Sequence, residues 1–316
     1  MTLQVVLLII GFIILIKGAD IFVDGSSSVA RNFNISTMLI GLTIVSFGTS
    51  APELAVSIKA LIGNNGDIVL GNVLGSNILN VLLILGISSI IRPLKVRNST
   101  VRKELPITLL LSSLLIILFI DNLFDKTAIN QISRSDGLVL LLFFTVFIYY
   151  LFSIVRNKSN DQKEPAAYNI PKSILLTILG LIGIVIGSTL VVDGASFIAN
   201  YLGVSQRMIS LTIVALGTSL PELVTSVMAA KKGELDIAIG NIVGSNIFNL
   251  GVVLGMPVAL FGSVIPTSFS YLDLIMLLIS TIMLFMFSYT KRTISKNEGI
   301  IMLITFVIYY SIVIIK

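Results

Sequence analysis

One stretch of this chain is written twice. Gly48-Thr49-Ser50-Ala51-Pro52-Glu53 returns 169 positions later as Gly217-Thr218-Ser219-Leu220-Pro221-Glu222. The same offset, without a gap, relates Asp24 to Asp193, Asp67 to Asp236, Gly71 to Gly240, Ser76 to Ser245 and Asn80 to Asn249. About half of the positions from Leu42 to Gly86 are identical to their partners. A repeat this long takes up half of the 316 residues. The chain therefore folds as two copies of one architecture, and any site built by the repeated string is built twice.

Composition says what medium surrounds those copies. The chain is 55% hydrophobic and only 12% charged, with a mean hydropathy of +1.03. That is the profile of an integral membrane protein. About ten apolar stretches have spanning length, five in each half, near 3–28, 37–62, 67–91, 104–121 and 135–156, then 172–198, 207–231, 235–262, 270–290 and 298–315. An odd number of spans per half makes the second half enter the membrane from the opposite side. The expected fold is thus an all-α membrane protein of about ten transmembrane helices in two inverted-topology five-helix repeats, with broken helices where the repeated string lies. Residues 1–156 form the first repeat and 172–316 the second. Residues 157–171 form a polar cytoplasmic linker.

Most of the 21 Lys and Arg fall on one side when the loops are assigned alternately. Arg92, Lys95, Arg97, Arg102, Lys103, Lys231 and Lys232 are among them. The positive-inside rule puts that side in the cytoplasm and both termini outside. The net charge of +5 is then a topology signal and not a sign of nucleic-acid binding. Residues 1–4 carry no basic segment, so the first apolar stretch reads as a span of a multi-pass plasma-membrane protein.

Function is expected where polarity is most expensive. Glu53 and Glu222 lie inside spans, and intramembrane carboxylates are functional candidates by default. Pro52 and Pro221 break the helix ladder and free backbone carbonyls. Thr49 and Glu53 are four apart, as are Thr218 and Glu222, so each pair shares a helix face. Ser50 with Glu53, and Ser219 with Glu222, also fit an S-x-x-E capping box, which can coexist with a ligand role. The second repeated string runs from Gly71 to Asn80 and again from Gly240 to Asn249. Its glycines read as helix-packing positions, and Asn77 and Asn246 as interhelical hydrogen-bonding groups. Ser76 with Asn80, and Ser245 with Asn249, share helix faces and are expected to line the cation site. Other acids are assigned structural roles: Asp24 and Asp193 as helix ends, Asp67 and Asp236 as caps, and Asp20, three positions from Lys17, as either its partner or a residue that snorkels with it towards the inside surface. With no cysteine and no histidine, the chain has neither thiolate nor imidazole ligands, and any metal it handles must accept oxygen.

Together, G-T-S-x-P-E followed by G-N-x-x-G-S-N-I-x-N, in both halves, resembles the two α-repeats of the sodium/calcium exchanger branch of the cation/Ca²⁺ exchanger superfamily. The resemblance covers essentially the whole chain. It implies that Glu53 and Glu222, with the carbonyls of Thr49 and Thr218, hold Ca²⁺. It implies that Ser50, Ser76, Ser219 and Ser245 help hold Na⁺, with the carbonyls of Ser46 and Ala215 completing two sodium sites. Asn80 and Asn249 would line the central position. Some relatives carry aspartate at the position of Asn249, including potassium-dependent ones, so asparagine there argues against K⁺ co-transport. The proton/calcium branch carries G-N-x-x-E in place of G-T-S-x-P-E, which favours sodium coupling.

The expected activity is Na⁺/Ca²⁺ antiport by alternating access, with H⁺/Ca²⁺ or other divalent antiport through the same glutamates as the alternative. The charge arithmetic points the same way. One Ca²⁺ neutralises two glutamates, as can two or three Na⁺ shared among more ligands, and crossing unloaded buries uncompensated charge. A channel fits inverted repeats poorly, and an enzyme is not expected. Ca²⁺ and Na⁺ are the expected substrates and the bilayer the expected partner. No cofactor, nucleic acid or obligatory protein partner is expected.

Overall fold

The computed structural model describes the chain except residues 1, 125, 127–128, 157–164, 205–212, 214, 267–270 and 316; for 123–124, 155–156 and 215 only the backbone is described. The described residues are almost entirely helical. We number the helices α1 (Thr2–Asn32), α2 (Thr37–Thr49), α3 (Ala51–Ile62), α4 (Gly66–Ile91), α5 (Leu105–Phe119), α6 (Arg134–Arg156), α7 (Ile170–Tyr201), α8 (Ala215–Thr218), α9 (Leu220–Lys232), α10 (Leu235–Phe261), α11 (Tyr271–Lys291) and α12 (Lys296–Ile315).

Among the described residues, seven helices are long and apolar enough to cross a membrane: α1, α4, α6, α7, α10, α11 and α12. The pair α2–α3, bent by 43° at Ser50, makes an eighth crossing if taken as one span. Two of the ten expected spans are not of this kind. The stretch near 104–121 is a 15-residue helix preceded by a π turn, Thr100–Glu104. The stretch near 207–231 falls partly outside the described residues, as does most of the expected linker. The described end of that linker is anchored. Asn169 caps α7 by accepting from the Lys172 amide (3.1 Å), and the Tyr168 carbonyl accepts from Asn32 Nδ2 (2.8 Å).

The layering follows from the lipid outside and the polar residues inside. Helices α6 and α12 keep bulky residues such as Leu142, Val146, Phe152, Ile304 and Val307 exposed, as lipid-facing helices do. Helix α10 is buried along its whole apolar window and α4 along most of it. These two form the centre, wrapped by α2–α3 and α9. Helices α1 and α7 pack against each other through glycine. A Cβ at Gly25 would stand 2.5 Å from the Thr177 amide nitrogen, and one at Gly180 would stand 2.5 Å from that of Phe22, so the two backbones touch directly.

Contacts also join equivalent positions of the two halves. Ser112 Oγ lies 3.4 Å from Thr281 Oγ1, and Asn246 Nδ2 donates to the Asn77 carbonyl (3.3 Å); both pairs are 169 residues apart. Outside the bilayer-length helices, β1 (Leu94–Lys95) pairs antiparallel with β2 (Thr293–Ile294), and Ile132 forms an isolated antiparallel bridge with Val264.

Several acids are placed differently from the sequence expectation. Asp20 pairs with Lys232 (2.6 Å), not with Lys17. Asp24 shares that lysine (2.6 Å). Asp24 and Asp193 do not end their helices, because α1 continues to Asn32 and α7 to Tyr201. Asp236 Oδ2 accepts from Arg97 Nε (2.8 Å) and Thr37 Oγ1 (3.1 Å), an inter-element tie in place of a helix cap. Local spacing could not identify these partners, since they come from the other half of the chain.

Candidate cation site

Two serines make the breaks in the helices that wrap α4 and α10. Ser50 separates α2 from α3 with φ −86° and ψ 7°, and Ser219 separates α8 from α9 with φ −90° and ψ 6°. Pro52 and Pro221 occupy the first turn of the following helix, where a missing N–H is tolerated. Glu53 and Glu222 come next, in the turn where unpaired amides favour negative charge. Both glutamates are wholly buried.

The expected capping box does not form, since neither serine side chain caps its own helix. Each serine reaches the other half instead. Ser50 Oγ donates to Glu222 Oε1 (2.8 Å), and Ser219 Oγ donates to Glu53 Oε1 (3.4 Å). A carboxylate removed from water needs donors more urgently than a helix end does, and the crossed bonds supply them. Ser245 Oγ adds a longer contact to Glu222 Oε1 (3.5 Å) and another to the Ser46 carbonyl (3.4 Å). That carbonyl also accepts from the Ser50 amide (3.0 Å) and Thr49 Oγ1 (3.3 Å).

Helices α4 and α10 supply the remaining walls. Asn249 Nδ2 donates to Ser76 Oγ (3.1 Å), and Asn80 Nδ2 donates to Asn246 Oδ1 (3.0 Å). Asn80 and Asn249 each open a π turn, Asn80–Leu85 and Asn249–Leu254. Such turns recur at functional sites because one widened turn re-aims a side chain within a helix. The interhelical role expected of Asn246 is present. The side chain of Asn77 is buried without a hydrogen bond. Of the packing glycines, Gly240 and Gly244 sit against α2, whereas Gly71 is exposed.

The structure thus brings Ser46, Thr49, Ser50, Glu222 and Ser245 into one hydrogen-bonded group with Asn241, and Glu53, Ser76, Ser219 and Asn249 into a second with Asn72, while Asn80 pairs separately with Asn246. Thr218 ends α8 beside Ser219 and is half-buried. Ala215 begins α8, and its side chain lies outside the described residues.

Two asparagines escaped the sequence analysis. Asn72 Nδ2 donates to the Glu53 carbonyl (2.9 Å) and Ser57 Oγ (2.9 Å). Asn241 Nδ2 makes the matching bonds to the Glu222 carbonyl (3.4 Å) and Ser226 Oγ (2.9 Å), and Asn241 Oδ1 accepts from Thr49 Oγ1 (3.0 Å). They anchor the broken helices to α4 and α10. Their signal was present, since each is the second residue of the repeated G-N string.

What remains is a set of acceptors. Glu53 Oε2, Glu222 Oε2, Asn80 Oδ1 and Asn249 Oδ1 are buried and meet no donor. Buried oxygens are ordinarily satisfied, so four acceptors without donors around two carboxylates match a hard cation. Among the described residues no cluster of three or more acidic, histidine or cysteine side chains exists. The charge available is therefore that of two carboxylates, with neutral oxygens around them.

Comparison with known proteins agrees with this chemistry. A family model described as sodium/calcium exchanger protein matches residues 3–153 and 172–315. A putative antiporter, CaxA, of Alkalimonas amylolytica is 38% identical, over 98% of this chain and 98% of its own length. The sodium/calcium exchanger MaX1 of Methanosarcina acetivorans is 33% identical, over 98% of this chain and 97% of its own. The solved structure of the sodium-calcium exchanger NCX_Mj superposes with a TM-score of 0.83 at 35% identity, covering 100% of this chain and 99% of that one. This chain belongs to the sodium/calcium exchanger family, whose members are secondary membrane transporters and not enzymes.

Proposed function

We propose that this protein is a Na⁺/Ca²⁺ antiporter working by alternating access, with Ca²⁺ and Na⁺ competing for one composite site. The carrying observation is the crossed pair of buried glutamates: each takes its serine donor from the other half, and each keeps a second oxygen without a donor. Glu53 and Glu222 are the Ca²⁺ ligands, with the carbonyls of Thr49 and Thr218. Ser50, Ser76, Ser219 and Ser245, with the carbonyls of Ser46 and Ala215, serve Na⁺, and Asn80 and Asn249 line the centre. A site of charge −2 is neutral with one Ca²⁺, and an unloaded crossing leaves two buried carboxylates uncompensated. Ion loading therefore licenses the switch between the two faces.

We read the chain as ten spans in two inverted five-span repeats (1–156 and 172–316, joined by 157–171), and the contacts between positions 169 apart support a two-fold relation of the halves. The loop charges favour an orientation with both termini outside, in a protein of the plasma membrane. A second reading, H⁺/Ca²⁺ antiport through the same two glutamates, is left open by a relative named only a putative antiporter, without a coupling ion.

Ca²⁺ uptake into proteoliposomes under imposed gradients separates the two. Uptake is expected with Na⁺ loaded inside and is expected to be slight with a proton gradient alone. Proton-driven uptake without Na⁺ would overturn the sodium assignment.

A further inference from the structure

A third buried carboxylate lies away from the cation site. Glu104 closes the π turn Thr100–Glu104 and is 1% exposed. Its Oε1 accepts from the Tyr150 hydroxyl, while Oε2 is buried with no hydrogen-bond partner. It lines a cavity of about 250 Å³ between the start of α2, the segment before α5 and the end of α6. The rest of the floor is apolar and buried: Met38, Leu39 and Leu42. The rim is polar and exposed, with Asn34, Ser99, Lys103 and Ser153. Every wall is the end of a membrane helix or the segment just beyond it, so the cavity opens at the level of the bilayer interface.

The charges have an order. Glu104 sits on the floor and Lys103 on the rim, where its Nζ stands 5.5 Å from the Tyr150 ring centre. Arg97 also lines the cavity and is tied to Asp236 (2.6 Å). A metal ion suits this site poorly. Ca²⁺ takes six to eight oxygens, roughly, and an apolar floor with one carboxylate and a basic rim does not supply them. An alkylammonium suits it well: its N–H groups meet Glu104 Oε2, its methylenes rest on Leu39 and Leu42, and a phosphate further out meets Lys103. In a lipid headgroup the amine is the tip and the phosphate is nearer the glycerol, which is the order found here. Basic pockets between membrane helices are known to hold lipid phosphates, as they do for cardiolipin and phosphoinositide headgroups.

The geometry points to a binding site for a phosphoethanolamine headgroup, with the ammonium on Glu104 and the phosphate at Lys103. A bound headgroup braces the first turn of α2, the helix that carries Ser46 and Thr49 into the cation site.

Native mass spectrometry of the full chain in detergent tests this with phosphatidylethanolamine, its mono- and dimethyl derivatives, and phosphatidylcholine of the same acyl chains. Retention is expected to fall as N–H groups are removed, by about tenfold in apparent affinity from the primary amine to the quaternary one. Glu104→Gln is expected to bring phosphatidylethanolamine close to the phosphatidylcholine level, and Lys103→Ala to weaken both lipids alike. Displacement by soluble phosphoethanolamine would identify the headgroup alone as sufficient, and no displacement would identify the diacyl lipid. Equal retention across the methylation series overturns the proposal, and that series needs no variant to fold.

Discussion

The two flanks of the cation site carry the same residues and are closed differently. On the flank of the first half, Ala51 and Gly71 are exposed and Pro52 and Asn72 half-buried. On the other, Leu220 is half-buried and Pro221, Gly240 and Asn241 are buried. The apolar window of α10 is 100% buried against 72% for α4. Ion pairs gather at the closed flank, around the 231–236 turn: Lys232 holds Asp20 and Asp24, Arg31 holds Glu234 (2.7 Å), and Arg97 holds Asp236. The first-half counterparts of Lys232 and Glu234 are Gly63 and Asn65, which cannot repeat those pairs. Ligand residues are thus duplicated while the residues that close the flanks are not. The closed flank seen here is held by charge pairs that Gly63 and Asn65 cannot supply on the other.

The largest expected effect strikes both flanks alike. Glu53→Gln or Glu222→Gln removes half of the fixed charge and is expected to abolish Ca²⁺ uptake in proteoliposomes; near-normal flux in either variant would remove that glutamate from the site. Next comes the anchoring asparagine of the closed flank. Asn241→Ala strips partners from Thr49, Ser226 and the Glu222 carbonyl, and should destabilise the fold by about 1–3 kcal/mol in thermal unfolding. The half-buried Asn72→Ala should lose less, and equal losses would break the comparison.

The crossed serines sharpen it further. Ser50→Ala removes a 2.8 Å donor and Ser219→Ala a 3.4 Å one. The first is expected to weaken Na⁺-dependent uptake by about fivefold to tenfold, the value of roughly 1 kcal/mol or slightly more, and the second by less. The smallest effect belongs to the ion pairs, which are part-exposed and worth about 0–1 kcal/mol each. The chain has no cysteine, so a single Ala51→Cys reports on the open flank by its rate of thiol labelling. Adding Lys232→Ala is expected to slow that labelling modestly, as states with the mirror-image closure gain population. An unchanged rate would detach the ion pairs from the switch.

Much of this was legible in the residues. Glu53, Glu222 and their serines stand out because a charged or hydroxylated string in an apolar run has few structural uses, and its return at a constant offset marks it twice. The breaks at Ser50 and Ser219 follow from proline, a local effect. The partners were not legible. Ser50 reads as a cap for Glu53 because the two are three apart, yet its hydroxyl reaches Glu222, 172 positions away. Nothing in the local pattern singles out Asn72 or Glu104: only the packing shows that Asn72 donates to the Glu53 carbonyl and that Glu104 keeps a buried oxygen without a donor.

The sequence by itself determined the medium, the duplication, the oxygen-only ligand chemistry and the two helix breaks. Each of these follows from local composition or backbone stereochemistry. Only the tertiary structure decided which serine serves which glutamate, which flank is closed and where a third carboxylate is left with a lone oxygen. Those depend on how two copies of the same string pack against each other, and hydrogen bonds across that junction are chosen by burial, which no local spacing encodes.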